Sequence, residues 1–149
     1  MAAGYYQFLL FPKHCTPILG EEGWEIRGEN VTAIEDIEEV LLSILKVDRY
    51  IPSYTWPGRD ARCYYKYDDG TDIIEIEINC GDYKEFVQEI SVRFKLRENG
   101  LIFKKTLDFC RDLSRGLNLN VLDMRMSKML DFEDEELINQ VYENYKKAY

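Results

Sequence analysis

Histidine is almost missing from these 149 residues: His14 stands alone. Catalytic triads and most catalytic zinc sites draw on histidine, so much hydrolytic and metal chemistry lacks its usual donor. Cys15, Cys63, Cys80 and Cys110 are widely spread and contain no CxxC pair. A four-ligand zinc site uses closely spaced pairs, so no metal is expected. His14 and Cys15 are neighbours in sequence, whereas nucleophile and base normally meet from distant positions. There is no P-loop, no Rossmann glycine pattern and no GxSxG, and no cofactor is expected. These gaps lead to the expectation of a chain that is not an enzyme.

Positive charge is also scarce. Nineteen Lys and Arg stand against 28 Asp and Glu, a net charge of −9. Phosphate neutralisation by cations supplies most non-specific affinity for nucleic acid, so that partner class is disfavoured. The same field attracts a basic protein and speeds its association. Net charge also keeps proteins soluble, which is the plainer explanation of the acidity. No apolar run approaches the roughly 20 residues of a membrane-spanning helix. Met1 to Leu10 has no cationic lead and too short an apolar stretch for an export signal, so the expected location is the cytoplasm. The cysteines are then reduced thiols, three of them in or near the core.

What remains describes one α+β domain over residues 1–149, with 46% apolar residues to build its core. Tyr5 to Phe11 reads as a buried strand ended by Pro12. Lys13 to Asn30 reads as a loop with a short strand around Trp24–Arg27. Thr32-x-x-Glu35 forms a capping box for a helix ending near Lys46, with Ile34, Ile37, Leu41, Ile44 and Leu45 on its apolar face. Asp48 to Asp60 is an irregular link. Ala61–Tyr67 and Asp72–Asn79 pair around the turn residues Asp69-Gly70. Ile90, Val92, Phe94 and Leu96 alternate with polar residues, as in a strand with one wet face. Tyr83 to Val87 is ambiguous between a helical turn and the start of that strand. Leu101–Arg115 is an amphipathic helix with Gly116 as its C-terminal cap. Leu119–Met126 is a last strand, and Asp131 caps a final helix to about Lys147. The expected architecture is one largely antiparallel sheet of about five strands, with three helices mostly on one face.

Charge is segregated along the chain. Glu21 to Asp48 holds nine acids and two bases, including Glu35, Asp36, Glu38 and Glu39 on the first helix. These four are the candidate steering residues for a basic partner; the plainer alternative is a solvated helix flank. Arg93, Lys95, Arg97, Lys104, Lys105, Arg111 and Arg115 form a later basic stretch, and Glu75 and Glu77 are expected to face Arg93 and Lys95 across the sheet. Between them lies an aromatic link in which Tyr50, Tyr54, Trp56, Tyr64, Tyr65 and Tyr67 interleave with Arg49, Arg59, Arg62 and Lys66. Tyr and Trp are common interface anchors, and Tyr54 and Trp56 are the candidates here. Tucking of these rings over the core is the competing reading.

In size, acidity, α+β pattern and lack of catalytic motifs, the whole chain resembles immunity proteins of bacterial toxin–immunity systems, including contact-dependent inhibition. The similarity is one of general type and carries no motif. It implies stoichiometric binding that blocks a toxin's catalytic domain, often a nuclease. Two alternatives have distinct signatures. A small-molecule or regulatory domain would show a pocket between the sheet and the 50–67 segment. An enzyme would show a cleft with converging polar groups and strongly shifted pKa values.

Overall fold

The computed structural model describes residues 4–29, 32–55, 61–80, 87–97 and 100–147. Among the described residues nine strands and three α-helices follow one another as β1 (Tyr5–Pro12), β2 (Thr16–Gly20), β3 (Gly23–Arg27), α1 (Ile34–Ser43), β4 (Val47–Arg49), β5 (Tyr64–Asp68), β6 (Ile73–Asn79), β7 (Glu89–Lys95), α2 (Leu101–Leu117), β8 (Leu119–Asp123), β9 (Lys128–Met129) and α3 (Glu135–Lys147), with a single 3-10 turn at Ala61–Cys63 before β5. Seven strands form one sheet in the order β4-β5-β6-β7-β1-β8-β9, and every neighbouring pair is antiparallel. The fold is therefore α+β, but with seven strands in the main sheet rather than about five, and with β2–β3 as a separate hairpin. The extra strands are short: β4 has three residues and β9 two, too few to leave an apolar period in the sequence. Such short, charged edges also discourage pairing with other chains.

One face of the sheet carries all three helices. Antiparallel register aligns Tyr6, Phe94 and Ile74 in one row and Phe8, Val92, Ile76 and Tyr65 in the next. Ile34, Ile37 and Leu41 of α1, Phe103, Leu107 and Cys110 of α2, and Val141 and Tyr145 of α3 pack on these rows. Phe103 stacks on Tyr145 at 4.5 Å between ring centroids and meets Tyr6 edge-on at 5.2 Å. Such ring pairs add to the burial that dominates folding. Among the described residues the other face is covered only in part. There β2–β3 folds over Leu9, Phe11 and Leu122, burying Cys15 and Ile26 in a second, smaller core. Strand β1 is thus covered on both faces along Phe8–Phe11, which is why its sequence is continuously apolar rather than alternating. Gly28 closes the hairpin at φ +138, where a Cβ would lie 2.8 Å from Cys15 Sγ.

Element ends differ from expectation where a partner strand or a different cap takes over. Thr32 makes no capping box: its carbonyl accepts from Val87 N at 2.8 Å, and α1 starts one residue later, after Ala33, which has no side-chain cap. The helix stops at Ser43 rather than Lys46, because Lys46 turns the chain at φ 69 and Val47 pairs with Tyr67. Asn118 in the left-handed region, not Gly116, caps α2. The last long strand ends at Asp123, whose buried carboxylate accepts from Arg125 N and Met126 N and turns the chain into β9. Asp134, not Asp131, caps α3 by accepting from Leu137 N. All four cysteines are buried free thiols, one more than expected in the interior. Among the described residues no helix is long and apolar enough to cross a membrane. Of the ambiguous Tyr83–Val87 stretch, residues 83–86 lie outside the described residues.

Candidate binding groove on the open sheet face

Where β2–β3 does not reach, the sheet presents its polar side to a groove of about 420 Å³. Its floor is set by register: Glu75 lies opposite Arg93, while Glu77 lies opposite Ser91 on one side and Tyr64 on the other. Residues directly opposite on antiparallel strands share a face, so these side chains project together. Tyr5 closes one end, and Tyr50, Pro52, Ser53 and Tyr54, which follow β4, form a wall. Arg93 Nε donates to Glu75 Oε2 at 2.7 Å, and its guanidinium lies 4.5 Å from the Tyr5 ring centroid. Gln7 Nε2 donates to Ser91 Oγ at 2.7 Å, fixing the floor beside them. Burial raises the pKa of the Tyr50 hydroxyl, and the neighbouring Glu75 carboxylate adds to the shift. Tyr54 remains 67% exposed.

The expected site residues do not form one patch. Glu35, Asp36 and Glu39 are exposed on α1, on the helix-covered side of the sheet. Glu38 is drawn into an ion pair with Arg49 of β4 and is half-buried, so it belongs with the structural contacts of that helix. Tyr54 sits across the sheet, on the groove wall. Trp56 lies outside the described residues. The expected facing of Glu75 and Arg93 is present, but Glu77 faces Ser91, and Lys95 aligns with Tyr5. Tyr5 and Ser91 belong to no site expected from the sequence, whereas Tyr64 of the aromatic link and Arg93 of the basic stretch are brought together here. The two-residue alternation of β6 and β7 placed Ser91 and Arg93 with Glu75 and Glu77, but only the register joins them to Tyr5 and Tyr64.

Other polar clusters serve the fold. Lys105 of α2 donates to Asp69 Oδ2 at 2.7 Å and Asp72 Oδ2 at 2.6 Å, tying the helix to the β5–β6 turn. The Lys105 ammonium, with the Asp72 and Thr71 amides, holds the Asp69 carboxyl well below the usual carboxylate range. Tyr6 donates to Asp123 Oδ2 at 2.6 Å in the interior, and burial raises the Asp123 pKa. His14 Nε2 and Cys15 Sγ both address the Glu29 carbonyl, at 2.6 and 3.5 Å. Burial raises the Cys15 thiol pKa, the reverse of what an activated nucleophile needs. Between α2 and α3 a second groove of about 340 Å³ is lined by Lys104, Leu107, Phe132 and Ile138. Its cations are engaged: Lys104 lies 4.7 Å over the Tyr142 ring and Arg111 pairs with Asp108. Among the described residues no group of three or more His, Cys, Asp or Glu is positioned to hold a metal ion. No protein-family model and no curated protein matches the chain.

Proposed function

We propose that the chain is a cytoplasmic binding protein that neutralises a partner protein by stoichiometric binding, in the manner of an immunity protein acting on a bacterial toxin domain. The observation that carries this reading is the groove of about 420 Å³, where tyrosine rings and charged side chains face outward on half of an otherwise covered sheet. Tyrosine anchors with a charged surround are the usual makings of a protein interface. The net charge of −9 and the exposed Glu35, Asp36 and Glu39 favour a basic partner and fast encounter.

Affinity capture with the full chain tests the reading when wild type is compared with Tyr54→Ala and Ser91→Arg. The expected result is a protein held in stoichiometric amount by wild type, inhibited by it, and released by both variants. Failure to hold any protein, or equal retention by the variants, would overturn it. A second reading rests on the same groove, whose volume lies in the range of small-molecule sites. It predicts a non-protein mass of fixed size on the wild-type chain in native mass spectrometry, absent from Ser91→Arg.

A further inference from the structure

We infer that a small pocket at one end of β6 and β7 binds an oxyanion, the phosphate or carboxylate end of a small ligand, independently of what occupies the larger groove. The pocket encloses about 150 Å³, with Tyr5, Glu75, Lys95 and Arg97 as its polar lining. That is the room of roughly five waters, enough for one such group and little more. Ile73, 46% exposed, adds an apolar wall for the carbon part of the ligand.

The cations come from the basic stretch, in which Arg93, Lys95 and Arg97 recur at every second residue. In an extended chain that period puts them on one face. Register sets Lys95 opposite Tyr5, and Leu96 N donates to the Gly4 carbonyl at 2.8 Å, so pairing with the β1 end of the chain continues beyond Lys95. The three cations are not equally engaged. Arg93 is held by Glu75 at 2.7 Å. Arg97 is fixed in place: the Tyr145 hydroxyl donates to its carbonyl at 2.8 Å and accepts from its amide at 3.3 Å, while Nη1 donates to the Thr71 carbonyl at 3.1 Å. Its Nε and Nη2 donate to nothing among the described residues, which leaves the other edge of the guanidinium for a ligand. Lys95 has no hydrogen-bond, ion-pair or ring partner among the described residues.

The surrounding charges agree. Lys105 takes Asp69 at 2.7 Å and Asp72 at 2.6 Å, and the far oxygen of Asp72 lies 3.6 Å from Arg97 Nη1. Arg93, Lys95, Arg97 and Lys105 thus stand against Glu75, Asp69 and Asp72, four cations to three carboxylates, with Lys95 the one left over. On a chain of net charge −9 such a local excess does not follow from composition. An oxyanion completes the balance by accepting from the Lys95 ammonium and the Arg97 fork, whereas a cation would meet a free ammonium.

The test uses the full chain, with phosphate and acetate titrated separately at constant ionic strength against chloride. NMR follows the Tyr5 ring and the backbone amides. Saturating shifts are expected at Tyr5, Lys95 and Arg97, with the α1 amides of Glu35 and Glu39 left in place. Lys95→Gln is expected to weaken the tighter probe about tenfold. Lys128→Gln makes the same charge change on the exposed β9 edge and is expected to weaken it less than about twofold. Saturation by either probe supports the site, and the tighter one names the ligand's anionic group. Shifts that stay linear with both probes, or a loss in Lys128→Gln as large as that in Lys95→Gln, would overturn the inference.

Discussion

The two faces of the main sheet are made from the same strands but are finished differently. On the helix-covered face Tyr6, Phe8, Phe94 and Ile76 are buried under α1–α3. On the other face, Leu9, Phe11 and Leu122 lie under the β2–β3 hairpin, while Glu75, Glu77, Ser91 and Arg93 line an open groove. The difference teaches that the open half is not an unfinished core. Its side chains are polar-tipped and hold one another, as Glu75 and Tyr5 hold Arg93 and Gln7 holds Ser91. The helix-covered face carries the buried core, and the open face is the one proposed for recognition.

That division makes a graded set of predictions. Phe103→Ala, at the centre of the aromatic cluster, should cost about 3–5 kcal/mol in denaturant unfolding, by the usual cost of a buried aromatic truncation. A loss below about 1 kcal/mol would show that the helix-covered face is not where the stability lies. Tyr6→Phe removes the donor to Asp123 and leaves a buried carboxylate short of a partner, for an expected loss of about 1–3 kcal/mol.

Asp69 should shape the acid limb of stability. Its folded-state pKa is depressed, so its contribution is present above the ordinary carboxylate value of about 4 and disappears as pH falls through the folded value. Asp69→Asn should therefore flatten the stability profile below about pH 4 relative to wild type, measured by urea midpoints across pH. An unchanged acid limb would remove Asp69 from that role. Glu75→Gln, on the open face, should cost at most about 1 kcal/mol, as exposed cross-strand pairs do. The triple change Glu35→Lys, Asp36→Lys and Glu39→Lys spares the Glu38–Arg49 pair and should move stability by no more than about 0.5 kcal/mol. It should still slow association with a basic partner at low salt, which stopped-flow mixing would read; an unchanged rate would free α1 of any steering role.

Much of the helix-covered face was legible in the chain itself. Ile74, Ile76 and Ile78, and Ile90, Val92 and Phe94, mark β6 and β7 by alternation, and Asp69-Gly70 marks their approach to β5, with Gly70 at φ +87 in the turn. The helices announced their apolar stripes but not their ends, since Thr32, Lys46 and Asn118 answer to neighbouring strands or to backbone geometry rather than to local preference. β2 was hidden because Pro17 and Gly20 read as loop, and because its role is to cover a patch of Leu9, Phe11 and Leu122 that no local pattern reveals. The groove was half visible. Tyr50 and Tyr54 stood out as an aromatic link, but Tyr5 and Arg93 lie far from them in sequence and join them only through strand order and register.

Hydroxyl-radical footprinting of the chain, alone and in complex with the proposed protein partner, compares the two faces within one experiment. Slowed oxidation of Tyr5, Tyr50 and Tyr54 in the complex, with Tyr142 on the helix side unchanged, is the expected result. Protection of Tyr142 with the groove tyrosines oxidised at their free rates would contradict it.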